Sequence, residues 1–167
     1  MLVTRKSDLY FLQEAAKVAT KSLCSNRYCG SVIVKSGKII GRGYNGPPLN
    51  DVTQRRCHIP INRFAKYPTD KTCCVHAEWR AIMDAVKKHP KQINGATLYF
   101  VSINKGGEWE FSRKPYCTVC SKLTLDSGIK QTVLWFRKGV RAYESTNYND
   151  LSYTYRKRGP SVYPDRG

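Results

Sequence analysis

The chain has 167 residues, 41% hydrophobic and 25% charged. That size and balance fit one globular domain with its own core and argue against a largely disordered chain. No run approaches the ~18 consecutive apolar residues of a membrane-spanning helix, and residues 1–8 lack the apolar core of an export signal, so a cytoplasmic protein is expected. Lys and Arg number 29 against 12 Asp and Glu, a net charge of +17. The excess is spread along the chain: ten basic and three acidic residues in 1–60, twelve and six in 61–136, seven and three in 137–167. Such a field draws in anions, nucleotides and nucleic acid among them; it also serves simply to keep a surface solvated.

In chain order, residues 8–23 are predicted as a helix, with Leu9, Leu12, Ala16, Ala19 and Leu23 as its apolar stripe and Ser7 as its N-cap. Residues 31–35 and 38–44 form a predicted hairpin turning at Ser36-Gly37, and their dense β-branched residues suit a buried strand. Residues 45–75 carry Pro47, Pro48, Pro60 and Pro68 and three of the seven cysteines, and have no sustained period. A loop of that length inside a compact domain is usually functional or disordered, and its cysteines favour function.

Helical spacing resumes over 76–88 with Ala77, Ala81 and Ala85 on one face. Residues 97–103 read as a strand, 104–114 as a Gly- and charge-rich loop, 118–127 as a helix ended by Gly128, and 132–136 as a strand. No further strand or helix is evident after Phe136. A domain over 1–150 is expected, followed by a basic, Tyr-rich tail over 151–167. Strands alternating with helices after an initial hairpin imply a mixed sheet with helices on both faces.

An odd number of cysteines, Cys24, Cys29, Cys57, Cys73, Cys74, Cys117 and Cys120, fits metal binding or catalysis better than a closed disulfide framework. His76-Ala77-Glu78 and Cys117-Thr118-Val119-Cys120 carry the chemistry. One imidazole and two thiolates are ligands that Zn2+ favours, and three protein ligands leave the fourth tetrahedral position open, as in catalytic sites. Both motifs open helices, whose N-terminal dipoles favour thiolate over thiol. Glu78, two residues after His76, sits over the open position as a candidate general acid–base.

These motifs match the H-x-E and C-x-x-C signature of zinc nucleobase deaminases. The chain resembles the cytidine and deoxycytidylate deaminase superfamily over about residues 8–136, most closely the dCMP deaminase branch. The resemblance is carried by Cys24-Ser-Asn-Arg27, Gly30-Ser-Val-Ile-Val34, Gly43-Tyr-Asn-Gly-Pro-Pro48, His76-Ala-Glu78 and Asp126-Ser-Gly-Ile129. It implies a three-layer α/β/α fold around a mixed five-stranded sheet, an oligomer, and a catalytic zinc on His76, Cys117 and Cys120. It implies hydrolytic removal of the cytosine 4-amino group from a free deoxycytidine nucleotide such as dCMP. Glu78 would carry a proton to ring N3 and then to the departing ammonia. Asn45 would contact the sugar, the Ala77 N–H the pyrimidine carbonyl oxygen, and Arg27 the phosphate, unless Arg27 is only a solvated surface cation.

The same resemblance offers Cys24, Cys57 and Cys74 as ligands of a second, structural zinc pinning the 45–75 loop, with His58 as a fourth; the alternative is free buried cysteine. Cys29 reads as a core residue. Two departures stand out. Pro115 lies one residue early, with Tyr116 before Cys117, and the 104–114 segment is longer than the family's usual connection, as a lid or a surface for a larger substrate would be. The rival readings are deamination of a base within RNA or single-stranded DNA, favoured by the charge and by Trp109 and Phe111 beside Arg113-Lys114, and a non-catalytic zinc-stabilised binding protein.

Overall fold

The computed structural model describes residues 6–25, 27–56, 74–112 and 117–153. Elements run α1 (Lys6–Ala19), β1 (Tyr28–Lys35), β2 (Lys38–Tyr44), α2 (Ala77–Lys88), β3 (Thr97–Ile103), β4 (Trp109–Glu110), α3 (Thr118–Asp126), β5 (Gln131–Phe136), β6 (Gly139–Glu144) and α4 (Ser145–Tyr153). The long strands lie in the order β2-β1-β3-β5-β6, with the two-residue β4 paired to β3. Only β3 and β5 are parallel; the other pairs are antiparallel. The expected mixed five-stranded sheet is therefore present, with a short sixth strand at one end.

The two faces of the sheet follow from the period-2 alternation of strand side chains. Val32 and Val34 of β1 join Tyr99, Val101 and Ile103 of β3 under Leu12, Ala15 and Ala19 of α1. Ile33 and Leu98 point the other way, to Ala81, Ile82 and Ala85 of α2. Three layers result. The third, α2 with α3, is extended by α4, whose Asn149 and Ser152 meet Ser121 of α3 through hydroxyl and amide contacts of 2.9–3.0 Å.

The approach of α2 is set by glycine. A Cβ on Gly43 would overlap the Ala77 carbonyl oxygen and the Ala81 nitrogen, and one on Gly41 would stand 2.7 Å from the Ala85 methyl. The Gly-Arg-Gly of β2 thus lets the Ala77/Ala81/Ala85 face rest directly on strand backbone.

Several expectations need correction. α1 begins by Lys6 and ends at Ala19, so Ser7 is inside the helix and not its cap, and Leu23 lies beyond it. Three residues past its end, the Ser22 hydroxyl reaches Asn45 O and Oδ1 at 2.9 and 2.6 Å. Leu9 is partly exposed, and Phe11, Ala15 and Val18 complete the buried face. The 104–112 stretch is a hairpin extension of β3: the Asn104 Oδ1 accepts from the backbone N–H groups of Gly106 and Glu108, and β4 pairs Ser102 and Ile103. After Phe136 the chain forms β6 and α4, neither of which the sequence pattern reveals; α4 continues to Tyr153, across the expected boundary at 150.

Candidate metal centre

Topology brings the two motif-bearing helices to one place. α2 leads into β3 and α3 into β5, and those strands are parallel. Both helices therefore run back along the sheet, and both start at the C-terminal end of β3. His76 is the N-cap of α2 and Cys117 the N-cap of α3. His76 Nδ1 lies 3.0 Å from Cys120 Sγ and 3.5 Å from Cys117 Sγ, and all three ligand atoms fall within 4.8 Å of one another. Among the described residues this is the group of three able to hold a metal.

The donor set fits zinc. Tetrahedral bonds of about 2.0–2.3 Å place ligand atoms roughly 3.5–3.8 Å apart; the His76–Cys117 pair meets this at 3.5 Å, and the His76–Cys120 pair, at 3.0 Å, is shorter. The thiols are prepared for a cation. Cys117 Sγ accepts from the Cys120 backbone N–H at 3.2 Å. Its pKa is pushed down to about 5, first by the hydrogen bond from the Cys120 thiol and then by His76, against the opposing effect of burial. Cys120 is pushed far up, because it holds the proton that Cys117 accepts and because it is buried. One thiolate and one thiol sharing a proton is a pair from which a dication displaces that proton.

Glu78 lies in the first turn of α2. Burial of its carboxyl raises its pKa, with the Cys117 thiolate adding to the rise and His76 opposing it. Ala77 is fully enclosed at the head of the same helix.

Asn45 and Arg27, expected to hold substrate, also make contacts within the chain. The Asn45 carboxamide oxygen accepts from Ser22 Oγ at 2.6 Å and from the Cys29 N–H at 2.8 Å, and its NH2 donates to the Arg27 carbonyl at 2.8 Å. Asn45 thus ties the end of α1, the start of β1 and the exit of β2 together. Arg27 donates from Nε to Glu110 Oε2 at 2.9 Å, and that carboxylate also accepts from Ser102 Oγ at 3.1 Å. Of the second set of cysteines, Cys24 and Cys74 are partly buried and outside the His76 group, while Cys57, with Cys73 and His58, lies outside the described residues. Cys29 is at the start of β1, its thiol pushed up to about 12, mainly by burial.

Two residues at the site carry no signal in the sequence reading. Arg80 reaches back from α2 to the 44–50 loop, donating to Asn50 Oδ1 at 2.6 Å, Pro47 O at 2.7 Å, Tyr44 O at 3.2 Å and Gly46 O at 3.4 Å. Trp79 lies beside His76, ring centroids 5.7 Å apart. Their places on α2, three and four residues after His76, are the only hint, since such residues share a helix face.

A mixed-sheet α/β/α domain whose His and Cys-x-x-Cys groups open two converging helices, with a carboxylate in the first turn of one of them, has the make-up of a metal-dependent hydrolytic centre. The chain belongs to the cytidine and deoxycytidylate deaminase family: the model of that family's zinc-binding region matches residues 5–136. It is 33% identical over 132 residues to the deoxycytidylate deaminase of Mycobacterium phage D29, spanning 75% of this chain and 91% of that one. It is 31% identical over 156 residues to the human deoxycytidylate deaminase, spanning 89% and 77%. The fold is shared with the dCMP deaminase of cyanophage S-TIM5, solved with dCMP and dUMP, at a TM-score of 0.55 and 20% identity over 78% of this chain and 81% of that one.

Proposed function

We propose that the protein converts dCMP to dUMP by zinc-dependent hydrolysis. The observation that carries this is the gathering of His76 Nδ1, Cys117 Sγ and Cys120 Sγ beside Glu78; the relatives named deoxycytidylate deaminase give the substrate. His76, Cys117 and Cys120 would hold one Zn2+, a Lewis acid that brings the pKa of water to about 7. Glu78 takes the proton of the attacking water, delivers it to ring N3, and then assists the departing amine. Its raised pKa suits a group that must carry a proton as well as accept one. The Ala77 N–H, at the positive end of α2, would donate to the ring carbonyl oxygen. Asn45 anchors the sugar side through its remaining N–H, and Arg27 the phosphate.

A phosphate at Arg27 competes with Glu110 for the guanidinium, so nucleotide binding trades one anion for another. The second zinc on Cys24, Cys57 and Cys74, a cytoplasmic location and a homo-oligomer belong to the same reading. Exposed Met83, Val86 and Val119 on α2 and α3 support self-association. The net charge of +17 favours a second reading, a base within a single strand. Incubation of zinc-loaded protein with dCMP, cytidine, single-stranded DNA and tRNA, followed by chromatography of the bases, separates them. Formation of dUMP from dCMP is expected; uracil formed only in polynucleotide would overturn the nucleotide reading.

A further inference from the structure

The indole Nε1 of Trp79 is enclosed and, among the described residues, makes no well-formed hydrogen bond. A buried N–H is almost always paired, and here only one other side chain among the described residues, Thr132, is left in that state. Trp79 follows His76 by one helical turn and its ring lies alongside the imidazole, centroids 5.7 Å apart at 33°. That imidazole touches Cys120 Sγ at 3.0 Å. Cys120 is 2% exposed, so no water shell balances charge on its sulfur.

We propose that the Trp79 N–H donates to the Cys120 sulfur once that sulfur is a metal thiolate, which makes Trp79 a positioning residue of the metal centre. The inference rests on the zinc reading of the site. A thiol at Cys120 would offer the indole only a weak acceptor, too poor to complete a well-formed hydrogen bond. Loss of the thiol proton to zinc turns the sulfur into an anion in an enclosed space, where an N–H donor offsets part of its charge and fixes its direction. The indole already lies close enough to the Cys120 sulfur to act on it as a hydrogen-bond donor, the least of the main influences on that thiol. Groups bonded to metal ligands in this way commonly change metal affinity about 10–100-fold when removed.

The test is Trp79→Phe, which keeps an aromatic ring against His76 and deletes the donor. Zinc affinity is read by competition with a chromophoric chelator, and sulfur electronics by the thiolate-to-metal charge-transfer band of the Co2+-loaded protein. The variant is expected to bind zinc about 10–100-fold more weakly. Its charge-transfer band should move to lower energy, because an undonated thiolate gives up electrons more readily. Thermal stability of the metal-free variant should equal or exceed that of the parent, since an unpaired polar group has gone. Unchanged affinity with an unchanged band would overturn the proposal.

Should Trp79→Phe fail to fold, the parent chain carrying 15N on its indoles decides. Adding Zn2+ should move the Trp79 indole proton downfield and slow its exchange with solvent; an unmoved resonance overturns the proposal. A parent chain that binds no Zn2+ at all would instead remove the zinc reading beneath it.

Discussion

Arg80 Nη2 donates to the Pro47 carbonyl at 2.7 Å, and through this bond the helix that begins with the metal ligand His76 holds the loop that begins with Asn45. The same guanidinium lies 5.3 Å from the Tyr44 ring centroid, and the Tyr44 hydroxyl accepts from Asn50 Nδ2 at 2.9 Å. Leu49 and Asn50, with φ of 54° and 60°, occupy the left-handed region that is unfavourable for a leucine. Gly46 and Val75 exchange backbone hydrogen bonds of 2.8 and 3.3 Å, so the loop is also stitched to the residue before His76. Replacing Arg80 by Ala should unlatch the loop at a cost of about 1.5–3 kcal/mol, the contribution of hydrogen bonds made by a charged group. Limited proteolysis should then cut within 44–56 and the KM for nucleotide should rise; an unchanged melting temperature and cleavage pattern would contradict the latch.

Glu78→Gln should leave zinc content and fold intact and lower kcat by about 10⁴, the upper end for loss of a general acid–base. The amide has the carboxylate's shape and carries no transferable proton. Turnover within tenfold of the parent would remove Glu78 from the proton path.

Cys117→Ala should lose zinc, as measured by elemental analysis of dialysed protein, because two remaining ligands do not close a tetrahedral site. Cys120→Ala should do the same and also open a void at a buried position. If either variant keeps a full equivalent of metal while the parent carries only one, the ligand set is wrong.

Gly43→Ala tests how α2 is seated. The new methyl would collide with the Ala77 carbonyl oxygen and Ala81 nitrogen, both backbone atoms that cannot rotate away. Overpacking of this kind costs about 1–3 kcal/mol. Because the displaced segment carries His76 and Glu78, zinc affinity should fall along with stability. A variant as stable and as tightly metallated as the parent would show that the helix yields freely.

The Cys29 thiol, raised from 9.0 to about 12 chiefly by burial, with Glu78, Cys24 and Glu110 raising it further and Arg27 opposing them, sets a pH dependence. Its folded pKa exceeds the unfolded one, so its contribution is complete below pH 9 and is lost as pH rises from 9 towards 12. Within that window the folded state should lose up to about 1.4 kcal/mol per pH unit relative to Cys29→Ala. Parallel urea midpoints for parent and variant, at neutral pH and one unit above 9, measure it. Identical shifts in both would exclude the thiol as the cause.

The gathering of His76, Cys117 and Cys120 was legible in the sequence because its residue types and spacing follow from coordination chemistry. Cys117 and Cys120 must be three apart at a helix start for both sulfurs to face one ion, and His76-Ala77-Glu78 must open a helix to present an imidazole and a carboxylate together. β1, β3 and β5 were legible as short, dense apolar runs buried on both faces, β2 by the turn that joins it to β1, and α2 because Ala77, Ala81 and Ala85 fall on one helix face. β6 and α4 were not. Val140 is the one residue of β6 that is buried, and the buried residues of α4 are Ser145, Tyr148 and Ser152, held by hydroxyl contacts that leave no hydrophobic stripe. What only the tertiary structure decided is which helix residues meet the metal centre and the loop. Trp79 and Arg80 sit in a run whose periodicity says only that alternate sides face in and out. The close seating of α2 on Gly41 and Gly43 decides that the indole N–H is enclosed and that the guanidinium reaches four acceptors 30 to 36 residues away in sequence. Contacts between segments distant in the chain carry no local period, so a sequence fixes them only through the packing that it produces.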